Sequence, residues 1–313
     1  MRKKELVILM ATYNGEKYLK EQIDSIVAQT YKDWQLIIRD DNSSDNTINI
    51  INNYIVNFPN KIRLVKNSTE KHGSKNNFLS LKKLAIKENY EYAMFCDQDD
   101  VWEENKIKLT LDEMKKIERN SEIPALVHTD LKVVDEKLNT IFPSFKIYSK
   151  LNPINDYFSH LLVENTVTGC TMLVNRALLI KSESIKKIDD IIMHDWLFAL
   201  LAAIYGNISY INAPTILYRQ HGNNVVGAKK NNFVEMSKKI FTFNKNKDSL
   251  KKTIKQAEVI LDSFNDLPKN IENILKGYSR ISKENKYRRI KFLISNKILK
   301  TNTIKKVGEF IFI

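Results

Sequence analysis

Between residues 5 and 100, short apolar runs rich in β-branched side chains alternate with stretches where apolar residues recur three and four positions apart. Continuous apolar runs of this length suit strands covered on both faces. Their alternation with helical spacing is the mark of βαβ units around a parallel sheet. Strands are predicted at residues 6–11, 35–39, 62–66 and 92–96. Helical spacing is carried by Glu21, Ile23, Ile26 and Val27, and again by Phe78, Leu81, Leu84 and Ala85. From residue 125 to about 217 the pattern is mixed, with β-rich runs near 125–134 and 168–174 and then a helix containing Asp195 and Trp196, which reads as α+β completion of the same domain. After Gly227 apolar residues return at helical spacing only, at Ile254, Ala257, Val259, Ile260 and Leu261, then Ile271, Ile274 and Leu275. The predicted fold is α/β, a Rossmann-like, mostly parallel sheet domain over residues 1–227 followed by an α-helical module over 228–313. No internal repeat and no long Gly- or Pro-rich linker interrupts it.

Three predicted strands end in polar clusters: Thr12-Tyr13-Asn14, Asp40-Asp41-Asn42, and Asp97-Gln98-Asp99-Asp100. In an open α/β sheet, ligands bind beyond the carboxyl ends of the strands, so these clusters are expected to converge on one crevice. Three carboxylates within four residues repel one another unless a cation or hydrogen-bond donors share them. A hard divalent ion, Mg2+ or Mn2+, bound by one or two of them would hold and neutralise a diphosphate. The plainer reading of the same run is a solvated acidic turn before Trp102. Asp45 reads as a cap for a helix starting near Thr47. Asp41, at a strand tip, is suited to accept the N3–H of uracil or thymine, and Thr12, Tyr13 and Asn14 sit where a base and ribose would be cradled.

Further along, His194-Asp195-Trp196 lies in an apolar stretch, where a charge is costly unless paired or functional. Asp195 reads either as a capped or solvated helix residue or as a general base for an acceptor hydroxyl. In Tyr218-Arg219-Gln220-His221-Gly222-Asn223-Asn224, His221 is either a turn histidine or a metal or phosphate contact, and Arg219 suits a phosphate or a structural ion pair equally.

Charge sharpens the division of the chain. Net charge is +13; residues 1–227 balance at 29 Lys+Arg and 29 Asp+Glu, whereas residues 228–313 hold 21 against 8. The basic tail, with Tyr287, Ile290 and Phe292 interleaved among Arg288, Arg289 and Lys291, is consistent with a helix lying on an anionic membrane surface, or with a solvated Lys-rich bundle. Nucleic-acid binding through the tail is ranked low, because it leaves the acidic strand ends unexplained. The two cysteines, Cys96 and Cys170, are far apart in apolar runs, which points to a reducing compartment. The apolar run after Met1-Arg2-Lys3-Lys4 is too short for an export signal, and no stretch reaches the roughly 20 apolar residues needed to span a bilayer. A cytoplasmic protein, soluble or peripheral on the membrane's inner face, is expected. A nucleotidyltransferase would also use metal-binding carboxylates, but Ala11 to Gly15 offers only one glycine for a phosphate loop.

The order of these motifs resembles family 2 glycosyltransferases of the GT-A fold, particularly bacterial polysaccharide rhamnosyltransferases. The resemblance rests on Ala11-Thr12-Tyr13-Asn14-Gly15, Gln29-Thr30-Tyr31, Asp40-Asp41-Asn42-Ser43, the Asp97–Asp99 element, His194-Asp195-Trp196 and the Tyr218–Asn224 segment, and spans about residues 5–227. It implies that Tyr13 and Asp41 contact the nucleobase, Asp97 the ribose and Asp99 the metal, with Asp195 as base. Thr12 and Asn14 join the nucleotide set, His221 the metal site, and Asn77 lies beside the nucleotide. Asp100, Trp102, His194, Trp196, Arg219 and Gln220 complete the candidates as donor, phosphate or acceptor contacts. Many members have Glu-Asp where this chain has His194-Asp195, which leaves the role of His194 open. The implied reaction is inverting transfer of a sugar, rhamnose from dTDP-rhamnose first and a UDP-hexose next, to a hydroxyl of a glycan or lipid-linked acceptor.

Overall fold

The computed structural model describes residues 4–153, 157–221 and 243–302, with side chains from residue 248 in the last segment. They fall into two compact units. The first takes the described residues of Met1–Phe145, Thr168–Ile180 and Asn207–Ala228, and the second those of Lys146–Val167, Lys181–Gly206 and Lys229–Ile313. Residues 146–167 and 181–206 thus group with the C-terminal helices, whereas a single cut at residue 227, itself outside the described residues, assigns them to the sheet.

The first unit is built on a nine-stranded sheet. Its strands are β1 (Lys4–Thr12), β2 (Trp34–Asp40), β3 (Ile62–Lys66), β4 (Tyr90–Cys96), β5 (Val101–Trp102), β6 (Ala125–Val134), β7 (Thr140–Phe142), β8 (Leu173–Asn175) and β9 (Asn207–Arg219). They run in the order β3-β2-β1-β4-β8-β6-β9-β5, with β7 on β6. The first four are mutually parallel, as the apolar runs predict, and Leu9 on β1 lies between Ile37 on β2 and Phe95 on β4. Helices α1 (Leu19–Val27), α2 (Thr47–Asn57) and α3 (Ser74–Lys87) make the crossovers, and α4 (Lys106–Ile117) follows β5. Strand residues Val7, Ile8, Leu9 and Met10 are sealed from solvent, which is why β1 reads as an unbroken apolar run.

The parallel pattern ends at β4. Strand β8 joins it antiparallel, and the run expected at 168–174 forms a 3-10 turn, Gly169–Thr171, before this three-residue strand. Asn175 ends it: its side chain accepts from the backbone N–H of Ala125 and Leu178 and donates to Glu118 and the Ile123 carbonyl. Both cysteines are free and buried.

The second unit is helical, with His194–Tyr205, Phe243–Ser263, Lys269–Ser279 and Lys286–Ser295 as its longer helices. Leu197, Phe198, Leu200, Val259, Ile260, Leu275, Tyr278 and Leu293 are buried there. Among the described residues no helix is long and apolar enough to cross a membrane.

Candidate nucleotide and metal site

The strand ends of β1, β2 and β4 meet, and their polar residues bind one another. The Thr12 hydroxyl donates to the Asp40 carboxylate at 2.9 Å, which also takes the Ser43 hydroxyl at 2.6 Å and its N–H at 2.8 Å. The Asp41 N–H donates to the Thr12 carbonyl at 2.8 Å. Asn14 and Asn42 adopt left-handed backbone at φ 46° and 65°, which asparagine tolerates better than most residues. The turn lets the Asn14 N–H reach the Ser43 hydroxyl and its side-chain oxygen accept from the Ser44 N–H, each at 2.9 Å. Asp45 accepts from the Thr47 N–H and hydroxyl and from the Glu16 N–H, forming a turn ahead of the helix, whose N-cap position falls instead on Asn46.

Gln98, passed over between its acidic neighbours, closes the ring from β4. Its carbonyl oxygen accepts from the Tyr13 N–H at 2.8 Å and its amide donates to the Tyr13 carbonyl at 2.9 Å. A Cβ on Gly15 would lie 2.5 Å from the Gln98 oxygen, so this approach needs glycine. The Tyr13 side chain remains 58% exposed above the ring, available to a base or ribose.

Asp41 is buried under the segment that leads into α3. One of its oxygens accepts from the Asn67 amide at 2.7 Å and pairs with His72 Nδ1 at 2.9 Å; the other accepts from the Gly73 N–H at 2.7 Å. Burial pushes this carboxyl upward, but the bonds from Gly73, Asn67 and His72 outweigh it and hold Asp41 below the usual carboxylate range. A carboxylate offers about four acceptor positions, so three donors leave about one for a ligand N–H. Arg39, a charge inside an apolar strand and visible as such in the sequence, donates to Asn67 and to the buried Asn77. The Asn77 carboxamide oxygen therefore braces Arg39.

At the tip of β4, Asp99 pairs with His221 Nε2 at 2.8 Å, joining two candidates 122 residues apart. Its carboxylate is partly open to solvent. Asp97 and Asp100 form a second cluster with Cys170, whose ligand atoms all lie within 4.8 Å of one another. Burial, then the charges of Asp99 and Asp97, push Asp100 well above the ordinary carboxylate range, and burial pushes the Cys170 thiol up as well. A protonated thiol is a poor ligand for a hard cation, so the carboxylate and imidazole of Asp99 and His221 fit Mg2+ or Mn2+ better.

Arg219 and Trp102 are not surface contacts. Arg219 is 1% exposed, with its side chain donating to the Asp99 carbonyl at 2.9 Å, to the Glu136 carbonyl and to the Glu21 carboxylate. The guanidinium forms an ion pair with Glu21. Trp102 is buried, with the Lys106 ammonium 4.7 Å from its ring centre. Burial lowers Lys106 to about 8. Gln220 donates to the Arg219 carbonyl and continues the β6 pairing through its N–H. Gly222, Asn223 and Asn224 lie outside the described residues.

In the second unit, His194, Asp195 and Trp196 open the helix His194–Tyr205. Burial lowers His194 to about 3, so the imidazole is neutral at physiological pH. Asp195 accepts from the Trp196 N–H at 2.6 Å in the first turn, where the helix dipole favours a carboxylate. The Trp196 indole donates to the Leu161 carbonyl.

Comparison with known proteins identifies the family and the fold. A dTDP-rhamnosyl transferase, RfbG of Shigella flexneri, is 34% identical over 70% of this chain and 74% of its own. A UDP-Glc:alpha-D-GlcNAc-diphosphoundecaprenol beta-1,3-glucosyltransferase, WfgD of Escherichia coli, is 27% identical over 55% of this chain and 60% of its own. Among solved structures, Staphylococcus aureus TarS with UDP-GlcNAc aligns with a TM-score of 0.57 at 17% identity, covering 93% of this chain and 73% of that one. The mannosyltransferase PcManGT from Pyrobaculum calidifontis, with GDP-Man and Mn2+, aligns at 0.52 and 16%, covering 94% and 74%. The fold is therefore that of GT-A glycosyltransferases. Residues 7–182, more than half the chain, match the family model for glycosyl transferase family 2, and the protein belongs to that family of enzymes.

Proposed function

We propose that this glycosyltransferase moves rhamnose from dTDP-rhamnose to a hydroxyl of a glycan or lipid-linked acceptor, with inversion at the anomeric carbon. The observation that carries the donor is the 34% identity to a dTDP-rhamnosyl transferase across 74% of that protein. Asp41 supplies an ionised acceptor with about one position left for the N3–H of thymine or uracil. Tyr13, with Thr12 and Asn14 behind it, receives the base, and Asp97 the ribose. Asp99 and His221 would hold a divalent cation, whose chemistry when bound is to neutralise charge on the leaving diphosphate.

The acceptor oxygen attacks the anomeric carbon as the bond from that carbon to the diphosphate oxygen breaks. Asp195 takes the acceptor's proton, and the nucleoside diphosphate leaves with the bonding pair. No covalent sugar–enzyme intermediate is required. The test is release of nucleoside diphosphate from dTDP-rhamnose, UDP-glucose and UDP-galactose with Mn2+, Mg2+ or EDTA, beside nucleotide-binding titrations. Turnover of dTDP-rhamnose alone supports the reading, and turnover of a UDP-hexose alone replaces rhamnose.

A separate observation favours a membrane-surface role for the second unit, on the cytoplasmic face. On the helix Lys286–Ser295, Tyr287 and Ile294 are exposed one face apart by seven residues, with exposed Lys286, Arg288 and Lys291 around them. Apolar side chains in a basic surround suit the headgroup region of an anionic bilayer. Co-sedimentation with vesicles containing phosphatidylglycerol tests this: loss of binding in a Tyr287→Ser, Ile294→Ser variant supports it, and unchanged binding overturns it.

A further inference from the structure

Arg219 is a buried charge near the strand tips, and several parts of the first unit meet on it. Its backbone N–H donates to the Asp100 carboxylate at 3.1 Å and its Nε to the Asp99 carbonyl at 2.9 Å, so one residue holds both ends of the Asp99-Asp100 pair. Its two terminal nitrogens reach the Glu136 carbonyl, past the end of β6, and the Glu21 carboxylate on α1. Its guanidinium stacks on the Tyr18 ring at 4.5 Å, and the same ring meets His221 at a centroid distance of 4.9 Å. Arg219 thus grips the backbone of one proposed metal ligand, and through Tyr18 it supports the ring of the other, two residues along the chain.

We propose that Arg219 is a positioning residue for the Asp99–His221 pair, fixing the separation at which the two side chains take a divalent cation. Only a guanidinium can serve. The plane of its fork answers three acceptors at once while its face covers an aromatic ring, whereas an ammonium offers the charge without the plane. Groups that orient metal ligands, without touching the metal, commonly change affinity by about 10- to 100-fold when replaced. Glu21, largely exposed on α1, neutralises the buried charge and sets the direction of the fork.

The proposal rests on the reading of Asp99 and His221 as cation ligands, and one experiment separates the two. Mn2+ binding to the full chain is titrated by its electron paramagnetic resonance signal, alone and with dTDP or UDP, in wild type, Asp99→Asn, Arg219→Lys and Glu21→Ala. Thermal melting is recorded for each. The expected result is loss of Mn2+ binding in Asp99→Asn and about tenfold weaker binding in Arg219→Lys, with metal-free nucleotide affinity unchanged. Wild-type Mn2+ affinity in Arg219→Lys, with Asp99→Asn impaired, overturns the role of Arg219. Wild-type affinity in Asp99→Asn overturns the ligand reading instead. Should Arg219→Lys not fold, Glu21→Ala decides: removing a surface carboxylate leaves no cavity, weaker Mn2+ binding supports the positioning role, and unchanged binding overturns it.

Discussion

Asp41 and Asp99 follow β2 and β4, the strands on either side of β1, both after apolar runs, yet their surroundings differ. Asp41 is buried and takes three donors from a single stretch, Asn67 to Gly73. Asp99 stays partly open and meets one imidazole brought from the end of β9. A carboxylate most of whose lone pairs are used by the protein can accept one more N–H selectively, which is recognition. One whose lone pairs are mainly free can share a cation, which is charge neutralisation. Under the proposed roles, the number of donors around each carboxylate is what separates a nucleobase contact from a cation ligand.

Substitutions can break this comparison, and the largest effects are expected on turnover, at Asp99 and Asp195. Asp99→Asn should lower turnover on the order of 10²- to 10³-fold, with metal dependence lost, as removal of a charge-stabilising group commonly does. Asp195→Asn should lower turnover by about 10²- to 10⁴-fold while donor affinity, read by titration, stays at the wild-type value, because only proton transfer is removed. Asp41→Asn should act on binding instead. Losing a hydrogen bond to a charged acceptor costs about 1.5–3 kcal/mol, so nucleotide affinity should fall roughly 10- to 100-fold while metal dependence persists. Equal loss of metal dependence in Asp41→Asn and Asp99→Asn would end the distinction.

Smaller effects sharpen it. Gly15→Ala should weaken nucleotide binding a few-fold, measured by titration, because its Cβ would displace the Gln98 side chain and leave the Tyr13 backbone unheld, although that flexible side chain can move. Acid titration of stability should also report on Asp41. Its folded pKa is depressed, so the stability it contributes is present above the unfolded value, about 3.9, and is lost as pH falls further. The stability gap between wild type and Asp41→Asn should therefore close as pH falls below about 4, as followed by chemical denaturation.

The central sheet was legible because strands buried on both faces must be written as apolar runs. The meeting of the strand ends followed from topology: Thr12 bonds to Asp40 and Asp41, and Gln98 to Tyr13. Other features carried weaker signals. Gln98 has no chemistry of its own and acts by reaching a backbone 85 residues away, so nothing local marks it. Asn67 and His72 lie in a polar loop where any residue is plausible. Arg219 was ambiguous because a guanidinium buried on an aromatic ring and one facing a phosphate look alike in sequence. The second unit was obscured for a different reason: its helices come from three separated stretches, and reading along the chain joins neighbours in sequence rather than in space.

The pair of hydrogen bonds between the Gln98 side chain and the Tyr13 backbone ties the first strand's exit to the fourth's before any donor arrives. Fixing one residue's backbone costs roughly 1–2 kcal/mol of conformational entropy, and here that loss occurs during folding. An incoming nucleotide sugar meets a rim already shaped, so its own contacts go into affinity rather than into ordering the loop.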